Sequence, residues 1–187
     1  MSPVETQADA LKARVVSLER QLAQARRRIA ELTPAHVVAQ RLHASLDRKQ
    51  VILALEEIVA GLVGCEQLAV FELVGAPEVL TLVAAVGVPG ESNDSTYPGA
   101  ARIAHGVASG ETWLAPAGAA DSGDEPPLSA CIPLKVDGRV TGALALYRML
   151  DHRGALEPAD LPLLEMLSTH AGIALAASRP TAVEAAR

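Results

Sequence analysis

The chain has 187 residues, half of them apolar, and a formal net charge of −6, enough to bury one proper core, so that one domain with an appendage is expected. Its only aromatic residues are Phe71, Tyr97, Trp113 and Tyr147, so the core must be built from Ala, Val, Leu and Ile, and a site that stacks purines, flavins or tetrapyrroles between rings has little to work with. Charge is divided unevenly. Residues 1–50 hold nine Lys or Arg against five Asp or Glu, a balance of +4, which leaves seven against seventeen, or −10, for the remainder.

The first eight residues are expected to be flexible. From Leu11 the apolar positions run Leu11, Val15, Leu18, Leu22, Ala25, Ile29 and Leu32, alternating steps of four and three. That is a heptad seam, and β-branched residues at a with leucine at d favour a parallel two-stranded coil, hence a homodimer with these seven residues as its interface over 9–33. Arg14 and Glu19 fall at g and the next e, where they can pair between chains. Arg26, Arg27 and Arg28 occupy e, f and g. Contact with an anionic partner is the sharp reading of that run, and a solvated coil flank the plain one, with no interleaved aromatic to support nucleic acid.

Thr33 and Pro34 restart the helix as a connecting segment over 34–46. A further start follows at Asp47, where Gln50 can reach back and Leu46 with Val51 can form a hydrophobic staple. Val51, Leu55, Ile58 and Leu62 then make one apolar stripe, ending near Gly61 or Gly64. The pattern changes to two strand-like runs, "CEQLAVFEL" and "EVLTLVAAVGV", joined by a turn with Gly75 and Pro77. Both runs are apolar on both faces, as in a sheet covered on each side. A loop, "PGESNDSTYPG", precedes a short amphipathic helix, "AARIAHGVASG"; "ETWLAP" reads as a short strand and "AGAADSGDEPP" as an exposed loop.

"ACIPLKV" and "RVTGALALYRM" are two antiparallel strands around Asp137-Gly138, the strongest short hairpin signal. Pro133 cannot donate to a ladder, which places its nitrogen at an edge, a bulge or a gap, and Gly142 marks a bulge or a close backbone approach. A final helix runs from about Pro162 to Ser178 with Asp160 as its cap, and residues 180–187 are expected to fray.

The stretch "LSACIPLKVDGRVTGALAL" followed by "LEPADLPLLEMLSTHAGIALAAS" resembles the C-terminal half of a GAF domain, and "GVASGETWLA" is similar to the family's central helix and the strand after it. The resemblance spans residues 43–178. It implies an α+β fold, related to profilin-like and PAS-like domains, with a five- or six-stranded antiparallel sheet, helices on one face and a small-molecule pocket on the other, here over 47–179. It also implies a sensory or dimerising role beside helical linkers. From the family geometry, Tyr97, His105 and Trp113 are the expected pocket walls. The Asn-Lys-Phe-Asp-Glu pattern of cyclic-nucleotide-binding members is absent, neither "GCEQ" nor "ACIP" matches a bilin attachment site, and two separated cysteines do not make a methionine sulfoxide reductase pocket. Leu156 stands where the family has Phe.

Other chemistry finds little support. His36, His43, His105, His152 and His170 show no i, i+4 pairing and no His-Cys spacing, so no metal site is expected. His170 reads as a core or partly exposed residue rather than a ligand. "GVPGES" lacks the lysine and hydroxyl of a phosphate loop, and Cys131 lies among apolar neighbours that oppose a thiolate. Cys65 and Cys131 without a secretory signal imply reduced thiols and a cytoplasmic location, and no apolar run spans a bilayer. The expectation is a non-catalytic signalling protein without cofactor, which senses a small molecule or relays a signal to a protein partner; the alternative is a scaffold whose pocket is filled by its own side chains.

Overall fold

The computed structural model describes residues 14–15, 17–21, 35–88, 99–116 and 127–179. The chain divides into two compact units, residues 1–37 and 38–187. In the first, residues 14–15 and 17–21 are helical, and Val15 and Leu18 are more than half exposed in the single chain, at 52% and 55%. The other expected seam positions, Leu11, Leu22, Ala25, Ile29 and Leu32, lie outside the described residues, as do Arg26, Arg27 and Arg28.

Helix α1 covers residues 35–42, and within the second unit its Val38 and Leu42 are fully buried. Helix α2, Arg48–Ile58, starts where expected: the Asp47 carboxylate accepts from the Gln50 N–H at 3.1 Å. The expected staple does not form, because Val51 turns into the core while Leu46 is 76% exposed. Instead the Asp47 N–H donates to the Ser45 hydroxyl at 3.0 Å, so the entry is fixed by polar contacts. Val51, Leu55 and Ile58 are buried, as the stripe predicts, and a single π turn, Val59–Val63, carries the helix to Gly64.

The sheet is antiparallel throughout and ordered β2-β1-β5-β4-β3, with β1 Leu68–Val74, β2 Val79–Val86, β3 Trp113–Leu114, β4 Ala130–Val136 and β5 Arg139–Leu146. Helix α3, Ala100–Ser109, lies between β2 and β3 in the chain, and α4, Leu161–Ala177, follows β5. Asp137 and Gly138 turn the β4–β5 hairpin with φ of 50° and 79°, the left-handed pair of a type I′ turn whose twist matches the strands. Gly142 is a site of close approach: a Cβ there would stand 2.1 Å from the Phe71 carbonyl oxygen on β1. The bulge sits beside it, where Leu134 pairs with Gly142 and Lys135 with Val140, leaving Thr141 as the extra residue.

Pro133 is opposite Ala143, yet its carbonyl accepts from the Ser168 hydroxyl of α4. The N and C=O of one strand residue point the same way, so the proline nitrogen also faces away from β5, toward the edge that β3 covers only at Ala130 and Cys131. Helix α4 shields that edge so closely that a Cβ on Gly172 would clash with the Lys135 backbone oxygen at 2.5 Å.

Strand alternation sends two different sets of side chains to the two faces. Leu68, Val70, Ile132, Leu134, Leu144 and Leu146 face α2 and α4, where Leu164, Leu167, Ala171 and Leu175 complete the larger core. Ala69, Phe71, Cys131, Ala143, Ala145 and Tyr147 face the other way and pack with Ile103 of α3. At the far end Glu72 is buried, with its carboxylate 2.6 Å from Arg48 and 3.6 Å from Arg179, which joins the start of α2, β1 and the end of α4.

Candidate functional site

The α3 face is where the resemblance places a pocket. Four of its sheet positions, Ala69, Cys131, Ala143 and Ala145, carry small side chains, so α3 can come close. It does so at Gly106, where a Cβ would stand 2.8 Å from the Cys131 sulfur. Ile103 and Gly106 are the buried residues of α3, and Cys131, Ala143, Ala145 and Tyr147 are at most 1% exposed. Among the described residues this face is a packed apolar layer.

Of the three expected pocket residues, two lie among the described residues. Trp113 is half-buried against the edge of this layer, and the Arg102 guanidinium lies over its ring, 4.3 Å from the centroid. His105 is exposed on the outer side of α3. Tyr97 lies outside the described residues. Short-range amphipathicity cannot show that α3 presents a glycine rather than a polar side chain to the sheet. The alternating small residues of β5, Ala143 and Ala145, are the available signal, and within a strand that is apolar on both faces they do not stand out.

Burial controls the two thiols. It pushes the Cys131 thiol up to about 11, far from a thiolate at neutral pH, and raises Cys65 as well. Both cysteines are free and buried. Neither is an accessible nucleophile.

Two polar features lie elsewhere. A cleft of about 520 Å³ opens between α4 and the segment leading into β3, lined by Glu111, Thr112, Lys135, Glu165 and Thr169 among others. The second is a histidine pair no spacing rule could find: His43, just past α1, and His170, in α4, are 127 residues apart, and their Nε2 and Nδ1 atoms are 3.2 Å apart. The rings meet edge to face with centroids 5.5 Å apart. Burial first, and His43 second, hold His170 below the ordinary histidine range, so its neutral form is favoured. Among the described residues no group of three or more His, Cys, Asp or Glu is placed to hold a metal ion. No helix among them is long and apolar enough to cross a membrane.

Comparison with known proteins agrees with this architecture. Among curated proteins none matches the chain. Solved structures do. The GAF domain of a phosphoenolpyruvate-protein phosphotransferase from Coxiella burnetii superposes with a TM-score of 0.60 at 15% identity, covering 84% of this chain and 97% of that one. The GAF domain of the potassium sensor histidine kinase from Escherichia coli gives 0.52 at 15% identity, with coverages of 83% and 98%. A free methionine-R-sulfoxide reductase from Neisseria meningitidis, solved with its substrate, gives 0.51 at 18% identity, with coverages of 76% and 86%. At these identities the likeness concerns the fold. A family model for the GAF domain matches residues 38–177, across both cores and all five strands. The chain therefore belongs to the GAF domain family.

Proposed function

We propose that this protein is a non-catalytic signalling module that dimerises through a parallel coil along Leu11 to Leu32 and passes a signal to a protein partner, with the α3 face serving as core rather than as a ligand chamber. GAF domains act mainly in signalling and sensing, although some, such as the reductase above, are enzymes. The observation that carries the reading is the approach of Gly106 to Cys131. A helix seated on the sheet at that distance leaves apolar side chains where a ligand would go, and filled apolar layers transmit strain rather than bind polar molecules. The raised thiols support the non-catalytic part.

Native mass spectrometry with a thermal-shift screen tests it. Nucleotides, amino acids and oxo-acids are expected to give neither a bound mass nor a shift; a ligand whose binding is lost in Gly106→Leu overturns the reading. Light scattering tests assembly. The wild type should run as a dimer and Leu18→Asp with Leu22→Asp as a monomer, and an unchanged dimer removes the coil from the proposal.

A second reading, sensing of a small polar molecule, draws on the cleft at Glu111, Lys135 and Glu165, where charges of both signs face open space. A thermal shift abolished by Lys135→Ala would favour it over the relay.

A further inference from the structure

We propose that His43 and His170 form a two-histidine chelate for a borderline divalent transition-metal ion, Zn²⁺, Cu²⁺ or Ni²⁺, which ties the end of α1 to α4. The argument begins with a distance. Metal–nitrogen bonds of 2.0–2.1 Å at a tetrahedral angle separate two ligand nitrogens by about 3.3–3.4 Å, and at a right angle by about 2.9 Å. His43 Nε2 and His170 Nδ1 are 3.2 Å apart, between these limits, so the pair has the bite of a metal chelate before any ion arrives.

The fold holds both ends of that bite. Val38 and Leu42, fully buried, anchor α1 in the core, and the His43 N–H donates to the Ala39 carbonyl at 3.1 Å, continuing the helical pattern to the ligand residue itself. His170 is flanked along α4 by the buried Leu167, Ala171 and Ala174. Both imidazoles remain within reach of solvent, His43 exposed and His170 half-buried, so an ion has a path in.

The exchange is chemically simple. In the neutral pair one ring donates its N–H to the other's lone pair, and which one donates depends on the tautomer. Moving that proton to the donor ring's other nitrogen frees two lone pairs on the facing nitrogens for the metal, with no net proton loss. On α1, two residues before His43 in the chain, the Arg41 guanidinium is paired with the Glu57 carboxylate at 3.1 Å. With no third His, Cys, Asp or Glu joining among the described residues, the remaining positions go to water, which makes the ion exchangeable. The inference stands apart from the relay reading, because it concerns the helix side of the sheet and needs no ligand under α3.

Calorimetric titration of tag-free protein with Zn²⁺ and Ni²⁺ should give one site per chain, weakened more than about tenfold in His43→Ala and in His170→Ala. His105→Ala and His152→Ala should bind as the wild type does. With Cu²⁺, electron paramagnetic resonance should show coupling to two nitrogens in the wild type and to fewer in either site variant. Circular dichroism verifies folding. Should His170→Ala lose its fold, the exposed His43→Ala decides alone. A wild type that binds none of the three ions, or binding that survives both substitutions, overturns the proposal.

Discussion

The two faces of the sheet are made by the same strands and solve opposite packing problems. Toward α2 and α4 the strands present Leu68, Val70, Ile132, Leu134, Leu144 and Leu146, long side chains that interdigitate with Leu55, Leu164 and Leu167. Toward α3 they present Ala69, Cys131, Ala143 and Ala145, with Phe71 and Tyr147 as the large exceptions. One face gains stability from buried area, and the other gains it from proximity. The contrast teaches that a layer of small residues can serve close approach: where the opposing helix offers a glycine at the crossing, the layers close at that point.

The contrast can be broken most strongly from the helix side. Leu144→Ala removes a fully buried side chain from the sheet face that packs with α2 and α4 and should cost about 2–5 kcal/mol in chemical denaturation. A loss near that expected for an exposed residue would mean that this core is loosely packed. On the α3 side, Gly106→Ala should cost about 1–3 kcal/mol, because the added methyl meets the Cys131 sulfur at 2.8 Å, and the thiol must turn within a packed layer or the helix must lift. A neutral or stabilising effect would show slack between α3 and the sheet. Ellman's reagent gives a sharper version of the same test: neither thiol should react in the native protein, and both should react on unfolding, whereas fast native labelling of Cys131 would show that α3 opens readily.

The smallest expected effect is electrostatic and belongs to the helix side alone. His170 sits below its ordinary value of 6.5 in the folded chain, through burial and the proximity of His43. As pH falls below that value the unfolded chain takes up the proton first, so this contribution to stability is complete above about pH 6.5 and is lost progressively on acidification. Denaturation of the metal-free wild type and His170→Asn at pH 7.5 and 5.5 should show the larger drop in the wild type. Equal drops would mean that neither burial nor His43 perturbs His170.

Features governed by neighbours along the chain were legible in advance. Asp47 caps α2 through its own carboxylate, Asp137-Gly138 turns the hairpin because both adopt positive φ, and Pro133, which lacks an N–H, falls where β4 has a gap in its pairing that α4 covers. Legibility failed where two distant segments had to meet. The Leu46–Val51 staple looked satisfied in the local pattern, but Ser45 supplies a competing hydrogen bond and Leu46 turns out to solvent. Gly142 could announce a close approach but not its partner, the Phe71 carbonyl.

What the sequence determined by itself was the element order, the two apolar faces of each strand, the hairpin and the family, because these rest on periodicity, on backbone restrictions at Gly and Pro, and on residues close along the chain. Only the tertiary structure decided which face α3 covers, that Gly106 meets Cys131 there, and that His43 meets His170 across 127 positions. The physical reason is common to all three. Register and helix placement are set by the packing of the whole core, and a contact between remote residues has no energy until that core exists.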